Sequence, residues 1–332
     1  MRALITGGAG FAGTHLAKHL VDCRDDVALT YLPISSSDVS TDRKNIFKLE
    51  EERKGAVPKS VQHVALDVTN TGQVRQVLSL MQPDVLYHLA AMSFVPEAEN
   101  KAEEALRVNG YGTYNLLKIL KEFSPATRFL YVSTSEVYGV PRPGSLPLLE
   151  QAEIRPLSSY AVSKALGEHF AHKFSASENL FVVTVRPFPH VGPFQEDRFS
   201  LSSFAKQIAL ISLGRKEPII EVGNIEVKRD FSDVSDIVRG YREAVLNGRN
   251  GEVYNLCSGI SSSLSDLIKR MMKLAGVEAE IHVSDDRVRS SDISEHFGSS
   301  NKANRDFGWR PRVELDAMLN GILSYWLESL SL

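Results

Sequence analysis

The chain has 332 residues, 43% hydrophobic and 24% charged, enough apolar material for one large or two fused domains around a buried core. Disordered and fibrous classes are excluded, and with 38 basic and 41 acidic residues the net charge of −3 predicts no chain-wide attraction to nucleic acid or anionic lipid. Any anionic ligand must then be held by a few local cations. Met1 to Thr6 enters directly on an apolar run without a leader pattern, and no uncharged stretch approaches a membrane span, so a cytoplasmic chain is expected. Cys23 and Cys257 are the only cysteines and lie far apart, which predicts reduced thiols rather than a disulfide framework.

In chain order, apolar β-branched runs alternate with stretches of helical period. Strands are predicted at Ala3–Thr6, Val27–Tyr31, Gln62–Leu66, Val85–Leu89, Arg128–Ser133 and Phe181–Arg186, with helices at Gly13–Asp22, Gly72–Met81, Ala98–Phe123 and Ser158–Ser177. Continuous apolar strands imply burial on both faces, the mark of a parallel sheet under crossover helices. The fold class expected is α/β, a doubly wound parallel sheet of six or seven strands (a Rossmann fold) with a smaller C-terminal α+β lobe. The segment Pro33–Ser60 is Ser-rich and then charged, and is predicted to be a surface insertion with one short helix and no core. After Arg186 come a helix near Leu201–Leu213, a hairpin at Pro218–Val227, a helix at Val234–Asn247, a strand at Val253–Leu256 and a helix at Leu264–Ala275. A dinucleotide-binding domain over 1–186 and a ligand lobe over 187–332, some of it returning to the first sheet, would leave a cleft between them.

The turn Thr6-Gly7-Gly8-Ala9-Gly10-Phe11-Ala12-Gly13 follows the first strand and opens the first helix, where a tight turn needs glycine and a phosphate needs close backbone approach. Gly7, Gly10, Phe11, Ala12 and Gly13 are therefore expected on a dinucleotide. The second strand ends at Tyr31 without the carboxylate that would take the ribose hydroxyls of NAD. Arg43, with Ser35, Ser36, Ser37, Thr41 and Lys44 in the next loop, offers partners for a 2′-phosphate, so NADP(H) is favoured and NAD(H) is the alternative.

Tyr160 and Lys164 stand four apart at the start of a helix and share one face. A neighbouring ammonium and the positively charged nicotinamide ring would draw the phenol downward from about 10, leaving Tyr160 as proton shuttle and Lys164 as holder of the nicotinamide ribose. Thr134 follows the apolar strand at the carboxyl edge of the sheet and could hydrogen-bond the same oxygen. Ser135 and Glu136 could contact substrate, with Glu136 a possible acid–base group. His15 with His19, and His169 with His172, share helix faces but show no third ligand, and no metal is predicted.

These motifs, with Leu66-Asp67-Val68, His88-Leu89-Ala90-Ala91, Asn109, Gly112-Thr113, Ser133-Thr-Ser-Glu-Val-Tyr-Gly139, Arg186-Pro187-Phe188 and Arg229-Asp230-Phe231, resemble the extended short-chain dehydrogenases/reductases acting on nucleotide sugars. The likeness covers nearly the whole chain. It implies Asp67 and Val68 at the adenine, Leu89, Ala90 and Ala91 at the ribose and diphosphate, Pro187 at the nicotinamide, and Asn109 and His190 also on the cofactor. Within that superfamily Arg186-Pro-Phe-Pro-His-Val-Gly-Pro-Phe-Gln195, Phe204–Ile208 with Pro218–Phe231, and Val253–Gly259 resemble the GDP-6-deoxy-D-mannose reductases.

The resemblance implies reduction of a GDP-4-keto-6-deoxy sugar to a GDP-6-deoxyhexose of the D-rhamnose type. The alternatives are a 4,6-dehydratase, a 4-epimerase, or a non-catalytic dinucleotide-binding sensor. Arg229 and Arg289 would take the diphosphate, with Ser93 and Lys206 as further contacts and Arg287 a weaker candidate. Pro189 occupies a position where the family usually has a substrate-contacting Asn, and proline has no side-chain amide. A homodimer through a four-helix interface built from 98–123 and 158–177 is also implied.

Overall fold

In this computed structural model, residues 1–33, 52–53, 55–284 and 293–331 are described. Strands β1 (Arg2–Thr6), β2 (Asp26–Tyr31), β3 (Gln62–Ala65), β4 (Val85–His88), β5 (Arg128–Val132) and β6 (Val182–Pro187) join the strand Val253–Leu256 in one seven-stranded sheet. The order is Val253–Leu256, β6, β5, β4, β1, β2, β3, and every neighbouring pair is parallel. The reversal of direction at β1 and β4 is the place where doubly wound sheets open a crevice for ligands.

Successive strand residues feed two cores. Ile5, Leu29, Tyr87, Leu130, Val183 and Val185 pack with helix α1 (Phe11–Asp22) and with Val238, Tyr241 and Trp309 on one face. Leu4, Ala28, Leu86, Phe129, Tyr131 and Val182 meet Val74, Leu116, Leu120, Ala171 and Phe174 on the other. Among the described residues four α-helices begin on a side-chain cap: Asn70, Ser158, Asp233 and Ser263 each accept a backbone N–H from the first turn.

The structure departs from the sequence-based expectations in three places. The segment 33–60 does contribute to the core: Val57 is 7% exposed within the α1-side cluster, and the Arg53 side chain is buried. The predicted helix 98–123 is broken into Val95–Asn100, Ala102–Ala105, a π-helical turn Leu106–Tyr111 and Gly112–Phe123. The π turn carries Asn109 inward, where its amide donates to the Met92 carbonyl and to Ser163 Oγ and its oxygen accepts the Met92 N–H. Pro218–Val227 is not a hairpin; Ile219–Val222 pairs in parallel with Glu280–Val283, some sixty residues onward. The strand Val253–Leu256 lies in the main sheet beside β6, a segment of the C-terminal half that returns to the first sheet.

A third core lies among helices Ser200–Ser212, Leu264–Ala275 and Leu315–Ser331. It is tied to the sheet by Asp230, fully buried, whose carboxylate accepts the N–H groups of Ser258 (2.8 Å), Gly259 (2.9 Å) and Gly298 (3.3 Å) and the Ser258 hydroxyl (2.5 Å). Burial pushes this carboxyl upward in pKa, and the converging donors oppose that shift. None of the described helices is long and apolar enough to cross a membrane.

Helix Ser159–Ser177 is fastened to β6 by a buried ion pair: Arg186 donates to Glu168 at 2.7 and 3.0 Å, to Tyr138 Oη at 3.0 Å and to the Glu150 carbonyl at 3.1 Å. Glu168→Ala would leave a guanidinium without its carboxylate in the interior, and a loss of about 3–5 kcal/mol in urea unfolding is expected. The double variant Glu168→Leu/Arg186→Met should recover most of that loss. Equal losses in the single and double variants would contradict the assignment.

Candidate active site

The glycine turn is built for close approach. Gly7 has φ +68°, and a Cβ there would sit 2.6 Å from the Ala90 backbone; one on Gly13 would sit 2.6 Å from Gly8. Gly10 N–H donates to the Gly7 carbonyl at 3.0 Å, and Thr14 Oγ1 to the Gly10 carbonyl at 2.9 Å, closing the turn. Gly10 caps α1 without a side chain, so the first-turn amides and the positive end of the helix dipole are offered to the cleft. A cradle that any Cβ would fill, at a helix N-terminus, fits the diphosphate of a dinucleotide. Beside it Tyr31, 40% exposed, ends β2 with no carboxylate.

This turn lines one part of a cleft of about 1700 Å³ that also takes in Thr134, Tyr160, Lys164, Leu89, Ala90, Ala91, Pro187 and His190. The His190 ring stacks on Phe11 at 5.9 Å, and its Nδ1 lies 3.0 Å from the Phe188 carbonyl. Lys164 is 3% exposed, one helical turn beyond Tyr160, with its Nζ 4.6 Å from the centroid of the Tyr131 ring. Burial draws the Lys164 ammonium down to about 7, while Glu168, one further turn along, acts upward. Tyr160 departs from expectation. Burial is the largest influence on its phenol and pushes it well above the usual tyrosine range, Thr134 opposes by hydrogen-bonding it, and Glu136 adds to the rise. A phenol so placed stays protonated at neutral pH and is suited to give a proton rather than to take one.

Ser93, Ser135, Glu136, Pro189, Lys206 and Arg229 also line the cleft. Lys206 pairs with Asp197 at 2.6 Å and lies over the Trp326 ring at 5.2 Å, and Arg229 Nη1 donates to the Ile293 carbonyl at 2.6 Å. Three expected cofactor residues do not line it. Asp67 accepts from Thr69 N and Oγ1 at 2.9 and 2.8 Å, Val68 is buried in the sheet core, and Asn109 holds Met92 and Ser163. Arg43, Arg287 and Arg289, with Ser35, Ser36, Ser37, Thr41 and Lys44, lie outside the described residues.

The cleft also takes in residues that the motifs did not single out, Arg53, His63, Gln207 and Glu221 among them. Arg53 donates to the Phe194 carbonyl at 2.8 and 3.2 Å, fastening the insertion to the loop after His190. A buried arginine in a charged surface-like segment leaves no periodic signal. Among the described residues no group of three or more His, Cys, Asp or Glu is placed to hold a metal ion.

The family described as GDP-mannose 4,6 dehydratase matches residues 4–322. Over 325 residues the chain is 33% identical to GDP-6-deoxy-D-mannose reductase of Pseudomonas aeruginosa, covering 98% of this chain and 97% of that protein. It is 28% identical to GDP-6-deoxy-D-talose 4-dehydrogenase of Aggregatibacter actinomycetemcomitans, over 91% of this chain and 90% of that one. Its fold superimposes on the structure of RMD from Pseudomonas aeruginosa complexed with NADPH with a TM-score of 0.84 at 31% identity, covering 99% of this chain and 100% of that one. The chain therefore belongs to the GDP-mannose 4,6-dehydratase family of extended short-chain dehydrogenases/reductases.

Two outcomes follow from this geometry. Gly7→Ala forces a side chain against Ala90 at positive φ, and titration with a nicotinamide dinucleotide should show binding weakened by about tenfold or more; unchanged affinity would contradict the cradle. Lys164 has a folded pKa of about 7, below its unfolded value, so the unfolded chain binds more protons above that pH and stability rises as pH increases from about 7 toward 10. Unfolding of Lys164→Met should lack that rise, making the variant relatively most stable near and below pH 7. A parallel pH dependence in both proteins would contradict the burial of the ammonium.

Proposed function

We propose that this protein reduces the 4-keto group of a GDP-4-keto-6-deoxy sugar to a GDP-6-deoxyhexose of the D-rhamnose type, with NADPH favoured as coenzyme and NADH as alternative. The observation that carries this is the meeting of Thr134, Tyr160 and Lys164 in the cleft that begins at the glycine turn, in a chain similar over 98% of its length to a reductase of that name. The NADPH preference rests on Tyr31 at the end of β2 and on the likeness to a structure complexed with NADPH.

When bound, the reduced nicotinamide supplies the hydride. The chain's own residues supply the proton and the positions. Tyr160, its phenol held above the usual tyrosine range, gives its proton to the sugar O4 as charge builds there, and Thr134 holds the phenol in line. Lys164 holds the nicotinamide ribose with its ammonium. Gly7, Gly10, Phe11, Ala12, Gly13, Leu89, Ala90 and Ala91 seat the dinucleotide, with Pro187 and His190 on the nicotinamide side. Arg229 receives the nucleotide diphosphate with Ser93 and Lys206 as further contacts, Ser135 contacts the sugar, and Pro189 shapes the sugar pocket without a side-chain amide.

Glu136 favours a second reading. It lines the cleft and acts electrostatically on Tyr160, the placement an acid–base group of a 4,6-dehydratase would need. We also infer a cytoplasmic homodimer. Cys23 and Cys257 are free thiols, and Leu106, Tyr111, Val162 and Leu166 leave apolar surface exposed on the π turn and the Tyr160 helix, where a second copy would form a four-helix contact. Sedimentation velocity should give the dimer mass, and a monomer at micromolar concentration would contradict that contact.

Incubation with GDP-4-keto-6-deoxymannose and NADPH should oxidise the coenzyme and yield GDP-6-deoxyhexose. Tyr160→Phe should lower kcat by about 10²–10⁴-fold with little change in KM for the sugar. Conversion of GDP-mannose alone to the keto sugar, without net coenzyme consumption, would favour the dehydratase reading. Full turnover by Tyr160→Phe would overturn the assignment of Tyr160.

A further inference from the structure

Beneath the Tyr160 helix, β5 presents one large side chain at its carboxyl end. Tyr131 is fully buried on the face covered by Ala171 and Phe174. Lys164 Nζ stands 4.6 Å from the centroid of its ring, and Tyr131 Oη donates to the Lys164 carbonyl at 2.9 Å. Both ends of the lysine therefore meet the same tyrosine.

The helix is notched to allow this. A Cβ at Gly167 would fall 2.1 Å from Tyr131 Oη, so only glycine lets the backbone lie so close. Thr113 bears on the same phenol and belongs to a buried chain that starts in β1: Thr6 Oγ1 to His88 Nδ1 at 2.7 Å, His88 Nε2 to Thr113 Oγ1 at 3.0 Å, and Thr113 Oγ1 donating to the Asn109 carbonyl at 2.6 Å. Asn109 continues to Ser163, the residue before Lys164, at 2.8 Å.

The charged and titratable groups around Lys164 offer its ammonium little else. Glu168 lies on the same helix, but both its oxygens are taken by Arg186. His88, on β4, is held neutral by complete burial, with Lys164 reinforcing that. Tyr160 remains a neutral phenol. An ammonium out of water is favoured by the negative face of an aromatic ring, and such contacts are strongest where both partners are desolvated.

We propose that Tyr131 is a positioning residue for Lys164, its ring face holding the ammonium charged and aimed at the cleft while its hydroxyl fixes the lysine's backbone. This rests on the role given to Lys164 above. Tyr131 is buried and does not line the cleft, and it acts through the lysine.

The test compares Tyr131→Phe, Tyr131→Leu and a series of ring-fluorinated phenylalanines at position 131, using the pH profile of kcat/KM with NADPH and the keto sugar. Wild-type activity should fall as pH rises through the deprotonation of Lys164, near 7. Tyr131→Phe keeps the ring and should keep that midpoint, with kcat down about two- to tenfold from the lost hydroxyl bond. Tyr131→Leu should move the midpoint down by about one pH unit, about a tenfold change in the protonation equilibrium. Should Tyr131→Leu fail to fold, the fluorinated series retains size and shape, and its midpoint should fall with each added fluorine. A wild-type midpoint throughout the fluorinated series would overturn the proposal. Full turnover by Lys164→Met is a different result, which would instead remove the role assigned to Lys164.

Discussion

The architecture turns on the burial of one helix face against a parallel sheet. Tyr160, Lys164 and Glu168 occupy successive turns of Ser159–Ser177, and Lys164 and Glu168 are 3% and 6% exposed. Removing a charge from water costs several kcal/mol unless it is paired. Each group is met by a partner from a different strand or its end: Thr134 after β5 for Tyr160, Tyr131 in β5 for Lys164, Arg186 in β6 for Glu168. The helix cannot slide or rotate by a residue without orphaning at least one of them.

That constraint propagates outward. To place Ser163 and Lys164 correctly, the preceding helix gives up α-helical form at Leu106–Tyr111 so that Asn109 can reach both the Met92 loop and Ser163. Gly167 surrenders its side chain to Tyr131, much as Gly7 surrenders one to Ala90 on the coenzyme side. Asp230 does similar work between the sheet and the third core, spending a buried carboxylate to gather three backbone amides. The cleft therefore lies between two structures pinned by buried polar contacts. Rigid placement of donors before ligand arrives is what electrostatic assistance to a reaction requires.

The sequence disclosed those features whose signal is local. Strands β1, β2, β4, β5 and β6 were legible because double-sided burial demands continuous apolar runs, and the glycine turn because strand, glycines and helix follow one another directly. Pairing partners were not legible: the alternating Ile219–Val222 looks like half of a hairpin, yet its partner is Glu280–Val283, and Val253–Leu256 shows nothing in its own residues of its return to β6. Arg53 and Val57 were hidden in a charged segment because their burial depends on distant loops. Asp67, Val68 and Asn109 came from resemblance alone, and their side chains serve a turn, a core and a loop. The direction of the Tyr160 shift was missed because charge spacing along a helix carries no information on desolvation, which outweighs it here.

The central claim, that this cleft delivers a hydride to C4 of a nucleotide-bound keto sugar, is tested most directly by isotope transfer. Reaction with NADPH deuterated at the transferable nicotinamide position, followed by NMR of the product sugar, should place one deuterium on C4 of the GDP-6-deoxyhexose. A product with no deuterium from the coenzyme, or with the label on C6, would contradict the account.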